Sequence, residues 1–305
     1  MTCGRQPSPL SITRTDQIAP ANPANGRRQT WVHVDGGRLF VEQSGKGSPI
    51  VLVHGWPLDH RVFEPQLSTL NRHFHVVTLD RRGFGRSDAP ADLRQELDDI
   101  DSILANLSLD RVHLLGMSQG GRIALRFALT RPERLRSLIL QSAAVDGMGP
   151  TVADSGHIPL EEYAQLVRAG RVDVVRERWM AHPMMAIDAQ HFSARQLIDE
   201  IMSTYDGADL VDYSGSRYAF PLNVADALRD LQVPTLLLTG AHETSSRRAH
   251  AQKLLTLVPH IREIVFEHSG HLCNLVEPEL YNRRVEEFCR DVDRNALDSG
   301  SSTLD

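Results

Sequence analysis

Cysteine is scarce in this chain: Cys3, Cys273 and Cys289 stand far apart. Three thiols cannot all pair, and their spacing fits no metal site, so a reducing, cytoplasmic setting is expected. Long apolar runs are also missing. Without about 18 consecutive apolar residues, no segment reads as a membrane-spanning helix. Met1 to Arg28 is rich in Pro, Ser, Thr, Asn and Gln, where a secretory signal would be apolar, and reads as a flexible tail. Residues 295–305 read the same way. Basic runs are no longer than two or three residues, and the net charge is -6, which argues against a nucleic-acid partner. No glycine-rich phosphate loop with a following Lys occurs, and the histidines lack ligand spacing. No cofactor and no metal is therefore expected.

What is present is a chain of 305 residues with 41% hydrophobic content, enough for one large domain or a core with an inserted lobe. Strand-like and helix-like segments alternate, which predicts an α/β fold with a mostly parallel twisted sheet flanked by helices. Trp31–Val34 and Leu39–Gln43 flank Asp35-Gly36-Gly37, a hairpin signal. Ile50–Val53, His75–Leu79, Leu135–Leu140, Pro234–Thr239 and Glu263–Phe266 read as further strands. Phe63–Leu70, Asp92–Leu107 and Val276–Asp293 read as helices. Between Ala143 and Pro221 the rhythm stops, and Leu160–Arg168, Val172–Met180 and Ala194–Thr204 read as helices in succession. The division expected is a core of 29–143 and 221–294 with a helical cap of 144–220. An independent helical domain is the other reading of that segment.

The densest signal is Gly116-Met117-Ser118-Gln119-Gly120, a G-x-S-x-G run. The apolar Val112–Leu115 precedes it and the helix-like Gly121–Leu129 follows it. That strand–turn–helix context gives the motif its meaning. A sharp turn lifts the serine hydroxyl above the sheet, where a base can take its proton. A Cβ at Gly116 or Gly120 is expected to clash with the neighbouring strand or helix.

Three more motifs follow in order: His54-Gly55-Trp56-Pro57 after an early strand, Asp80-Arg81-Arg82-Gly83-Phe84-Gly85-Arg86-Ser87 after the next, and Ser269-Gly270-His271 near the end. With the serine turn, they make the chain resemble the α/β-hydrolase fold superfamily, in its esterase, lactonase and perhydrolase-like branch, over about Val32 to Val292. The resemblance implies that Ser118 is the nucleophile and His271 the general base. Its usual third member is an Asp three residues after the glycine ending the penultimate strand. Here Glu243 holds that place after Gly240, a departure from the pattern. Asp146, after the Leu135–Leu140 strand, is the alternative acid. The oxyanion donors implied are the backbone N–H groups of Trp56 and Gln119. His54 is expected to organise its loop, and Asp80 to hold the following loop by hydrogen bonds.

The resemblance implies a cofactor-free serine hydrolase acting on a small apolar ester or lactone. C–C bond hydrolysis and peracid formation use the same machinery. A catalytically weak, ligand-binding member of the fold is the reading of a different class, favoured only by the Glu at position 243. Dehalogenase and epoxide hydrolase chemistry is disfavoured, because those relatives carry Asp where this chain has Ser118. In the insertion, Trp179, Met180 and Met184 belong to a run of soft side chains. They read equally as an apolar lid over the substrate and as the small core of the cap. Oligomeric state stays open.

Overall fold

A run such as Val112-His113-Leu114-Leu115 is apolar along its length when both faces of its strand are covered. The computed structural model, which describes residues 26–147, 156–211, 224–258 and 260–301, puts this run in the middle of one eight-stranded sheet. The strands are β1 (Arg28–Val34), β2 (Gly37–Gly45), β3 (Ser48–Val53), β4 (Phe74–Leu79), β5 (Val112–Met117), β6 (Leu135–Gln141), β7 (Thr235–Gly240) and β8 (Arg262–Phe266). Their order across the sheet is β1-β2-β4-β3-β5-β6-β7-β8. β1 and β2 form an antiparallel hairpin, and β2 runs antiparallel to β4. All remaining pairs are parallel.

The sheet has two apolar faces because side chains alternate along a strand. Ile50 and Leu52 of β3 join one buried cluster, and Val51 and Val53 join the other. Helix α1 (Glu64–Leu70) precedes β4, and α2 (Glu96–Asn106) and α3 (Gln119–Thr130) flank β5 in sequence. Between β6 and β7 the described residues include α4 (Leu160–Arg168), α5 (Val172–Met180), α6 (Phe192–Thr204), α7 (Ala208–Val211) and a short α8 (Val224–Ala227). The buried apolar side chains of α4 to α7, among them Tyr163, Trp179 and Ile198, belong to the same cluster as Trp56, Leu58 and Phe63 of the core. α9 (Ser245–Leu257) lies between β7 and β8, and α10 (Cys273–Val276) and α11 (Pro278–Ser301) close the chain. None of the described helices is long and apolar enough to cross a membrane.

Several expectations need correction. β1 starts at Arg28, three residues before the expected Trp31, because Arg28 pairs with Gln43 at the far end of the hairpin ladder. Arg27 and Arg28 are therefore not tail, and Arg27 pairs with Glu42; residues 1–25 lie outside the description. α2 starts at Glu96, not Asp92. The Asp92 side chain accepts from the Arg94 N–H at 3.0 Å, a local turn that competes with helix. The closing helix is broken at Glu277, restarts with Pro278 as its first residue, and runs to Ser301 rather than stopping at Asp293. Residues 295–301 are thus helical, not a tail. No Pro or Gly interrupts between Pro278 and Gly300, and an Arg294–Asp291 pair at 2.5 Å supports the last turns.

The strand order matters for chemistry. After β3 the chain moves to β4 on one side, then returns to β5 on the other and continues outward. The direction of winding reverses between β3 and β5. In open α/β sheets, such a reversal at the carboxyl ends of the strands is where ligands bind. The β3–β5 ladder ends at Val53↔Gly116, so His54 after β3 and Ser118 after β5 leave the sheet at that reversal.

Candidate active site

Ser118 sits at the sharp turn between β5 and α3. Its φ of 53° and ψ of -112° lie where side chains other than glycine rarely go. The Ser118 N–H donates to the carbonyl of Gln141 at 2.7 Å, which fixes the turn to the end of β6. α3 begins at the next residue, so Ser118 also faces the positive end of a helix. The glycines are needed as expected. A Cβ at Gly116 would lie 2.4 Å from the Gly120 carbonyl oxygen, and one at Gly120 would lie 2.3 Å from that of Val53.

Two further loops carry His271 and Glu243. Each follows its strand closely, β7 ending at Gly240 and β8 at Phe266. They touch: a Cβ on Gly240 would lie 2.2 Å from the Gly270 carbonyl oxygen, and His242 N–H donates to Ser269 at 3.0 Å. This contact brings the imidazole Nδ1 of His271 to 2.8 Å from Oε2 of Glu243, both side chains buried. Oε1 of Glu243 accepts the Thr244 N–H at 2.8 Å. Burial alone would raise the Glu243 pKa. The adjacent His271, with the Thr244 N–H, outweighs it and holds the carboxyl at about 2. Asp146 lies elsewhere in bonding terms. Its carboxylate is gripped by Arg122 and Arg126 of α3. The structure thus brings Glu243, and not Asp146, to the imidazole.

The His54–Pro57 loop leaves β3 beside the serine turn, and a Cβ on Gly55 would lie 3.1 Å from that of Ser118. Gln119 is the first residue of α3. The two segments expected to supply oxyanion donors are therefore neighbours of Ser118. His54 is fully buried. Its Nδ1 lies 2.8 Å from the Gly55 carbonyl and its Nε2 accepts from the Arg81 N–H at 3.0 Å. Burial first, and then the Arg81 charge, lower its pKa to about 3, so the ring is neutral at pH 7. The Trp56 ring is almost wholly covered. Trp179 packs edge-on against it at 4.7 Å, and the Trp56 Nε1–H donates to Asp209 of α7 at 2.7 Å. Trp179 and Met184 are buried in the packing of the insertion, whereas Met180 is half-buried beside a cavity of about 190 Å³ shared with Met185 and Ile198.

Asp80 holds its loop together, accepting from the His60 N–H at 2.9 Å and the Arg86 N–H at 2.8 Å. Among the described residues, Asp59, His60 and Asp80 form one group whose donor atoms lie within 4.8 Å of one another. The carboxylates there already hold Arg61 and His60, at 2.6 Å in each case. Asp80 is distant in sequence from Asp59 and His60, so no local pattern marks this cluster.

Gln141 and Asp209 likewise stand outside every motif read from the sequence. Gln141 is buried, and its Nε2 donates to the His271 carbonyl at 3.0 Å while its own carbonyl receives the Ser118 N–H. A polar residue closing the apolar run Leu138-Ile139-Leu140 was the available signal. Asp209 accepts from both Trp56 and the Tyr205 hydroxyl, at 2.7 Å each. Nothing in its local sequence marks it.

The alpha/beta hydrolase fold family model matches residues 48–278. This chain belongs to that family. A curated member of the superfamily from Bacillus subtilis, the AB hydrolase superfamily protein YisY, is 30% identical over 263 residues, covering 82% of this chain and 94% of its own. The (E)-2-((N-methylformamido)methylene)succinate hydrolase of Acinetobacter baylyi is 28% identical, covering 81% of this chain and 92% of its own. Among solved structures, a thermophilic esterase from Thermogutta terrifontis superposes with a TM-score of 0.74 at 26% identity, covering 87% of this chain and 98% of its own.

Proposed function

We propose that this hydrolase-family protein cleaves a carboxylic ester or lactone through an acyl-enzyme on Ser118. The observation that carries the reading is the buried His271–Glu243 pair, 2.8 Å apart, in a fold whose Ser118 stands on a strained strand-to-helix turn. Glu243 keeps the Nδ1 proton of His271 in place, which leaves Nε2 free to act as base toward the serine. The Ser118 oxygen attacks the substrate carbonyl carbon and its proton passes to His271. The resulting oxyanion is met by the N–H groups of Gln119 and Trp56. His271 then protonates the leaving alcohol, and the acyl group stays on Ser118. Water, deprotonated by the same imidazole, attacks the acyl carbon and releases the acid and Ser118.

Residues 29–143 and 221–294 act as the hydrolase core in this scheme, and 144–220 as a cap over the site. Trp179 and Met184 shape the pocket from behind, through their packing on Trp56 and within the cap. Met180, less covered, is the better candidate for contact with an apolar group. The thermophilic esterase among its structural neighbours supports ester chemistry without naming a substrate.

Hydrolysis of chromogenic esters of graded acyl length tests the reading. Wild-type protein should release chromophore, and Ser118→Ala should lower the rate by a factor of about 10⁴ or more. Activity that survives the substitution would remove Ser118 from the chemistry. A folded wild type inactive on every ester would favour a binding role instead.

A further inference from the structure

The loop after β4 holds a buried arginine that reaches beyond its own loop. We propose that Arg81 is a positioning residue that clamps the two halves of the oxyanion hole, the His54–Pro57 loop and the first residue of α3, against each other. The inference rests on the assignment of the Trp56 and Gln119 N–H groups made above.

Arg81 is 2% exposed, and every edge of its guanidinium is used. Nε and Nη2 donate to the Glu96 carboxylate of α2 at 2.7 and 2.8 Å. Nη2 also donates to Oε1 of Gln119 at 2.6 Å. Nη1 donates to the His54 carbonyl at 3.3 Å, and the Arg81 backbone N–H donates to the His54 ring at 3.0 Å. Phe84 lies against the guanidinium, its ring centroid 4.9 Å away. One side chain thus grips the residue two before Trp56 and the side chain of Gln119. These are the two segments that must hold their N–H groups at fixed points before charge develops on the substrate.

The need for such a clamp follows from the sheet. β3 and β5 are paired only as far as Val53↔Gly116. Beyond that the two strands feed separate loops, and the ladder no longer sets their spacing. Arg81 continues the connection past the end of the ladder. A lysine could not replace it, because a single ammonium has no planar fork to satisfy Glu96, Gln119 and His54 in fixed directions. Glu96 compensates the buried charge, so the guanidinium acts as a spacer rather than as a bare cation in the site. Among the described residues, Asp80, Arg82 and Ser87 of the same loop bond to neither segment: Arg82 pairs with Asp99, and Asp80 and Ser87 bind within the loop and to His60 and Phe40.

The test uses two variants of the full chain. Gln119→Met removes the acceptor, keeps the backbone N–H and strands no buried acid. Arg81→Gln combined with Glu96→Gln removes both charges together, because Arg81→Gln alone would leave Glu96 buried and unpaired. For each, kcat on a chromogenic ester is measured with inhibition by two ligands. One is an alkyl boronic acid, whose adduct with Ser118 is tetrahedral and anionic. The other is the ether analogue of the ester, which has no carbonyl to polarise. A clamp predicts that kcat and boronic acid affinity both fall by about tenfold while ether binding changes by less than about twofold. Boronic acid affinity unchanged in both variants, or a loss shared equally by the ether, overturns the clamp. If the double variant does not fold, Gln119→Met alone decides. A boronic acid that fails to inhibit the wild type overturns the assignment of Ser118 itself, and the clamp with it.

Discussion

Glu243 stands where the resemblance leads one to expect an aspartate, and its longer side chain is accommodated without loss of contact. One carboxylate oxygen meets the Thr244 N–H and the other meets His271, both at 2.8 Å. On the proposed mechanism, Glu243→Gln should lower kcat by about 100-fold or more, because the amide can no longer hold the imidazole in the required tautomer or stabilise its charged form. Asp146→Asn should change kcat by less than about threefold. It should instead destabilise the fold by about 3 kcal/mol in urea titration, since Arg126 of α3 would lose its buried partner. The opposite pattern would exchange the two assignments. His54 makes a second prediction at this scale. Its pKa is lowered from 6.5 to about 3 in the folded protein, so between those values the unfolded chain binds the proton and the folded chain does not. That share of stability is complete above pH 6.5 and is lost as pH falls toward 3. Stability measured against pH in His54→Gln should show a slope smaller by up to one proton in that window.

The β5–α3 turn is the element on which the candidate site depends. Its motif was legible because the geometry admits few residues: the turn needs a serine at positive φ and two positions without Cβ. Gly116→Ala should therefore cost about 3 kcal/mol of stability by thermal or urea unfolding, since its new methyl would lie 2.4 Å from a backbone oxygen that helix α3 holds in place. A variant as stable as wild type would mean the turn has more room than these contacts allow. Strand and helix existence was also legible, because apolar runs bounded by turn residues need only local reading. Boundaries were less so. The start of β1 depends on a cross-strand partner, and the true start of α2 on an Asp92 side chain that competes for its own backbone. The continuation of α11 to Ser301 follows from the absence of a breaker, which polar composition alone concealed.

Across the whole molecule, Gln141 joins parts that are far apart in sequence. Its side chain donates to the His271 carbonyl and to Asn274, and accepts from the Tyr281 hydroxyl, while its backbone carbonyl holds Ser118. Asn274 in turn donates to the Val62 carbonyl at 3.0 Å, so the network reaches the segment before α1. Gln141→Leu leaves several of these groups buried without partners and should cost about 3 kcal/mol or more. Because it also releases the His271 loop, kcat should fall by about tenfold with KM little changed, as steady-state kinetics would reveal. Stability loss with unchanged kcat would make Gln141 a packing residue only.

The sequence by itself determined the α/β class, the parallel strands, the serine turn and the loops bearing His271 and Glu243. These depend on local backbone chemistry: periodicity, glycine where a Cβ cannot fit, and apolar runs that must be covered. Which carboxylate reaches the imidazole was decided only by the tertiary structure, because Gly240 and Gly270 bring two loops into contact while α3 takes Asp146 for its arginines. The roles of Gln141, Asp209 and Arg81 were decided there as well. Each is an ordinary polar residue in its own segment, and acquires its partners only when the sheet reverses direction between β3 and β5 and the insertion folds against Trp56.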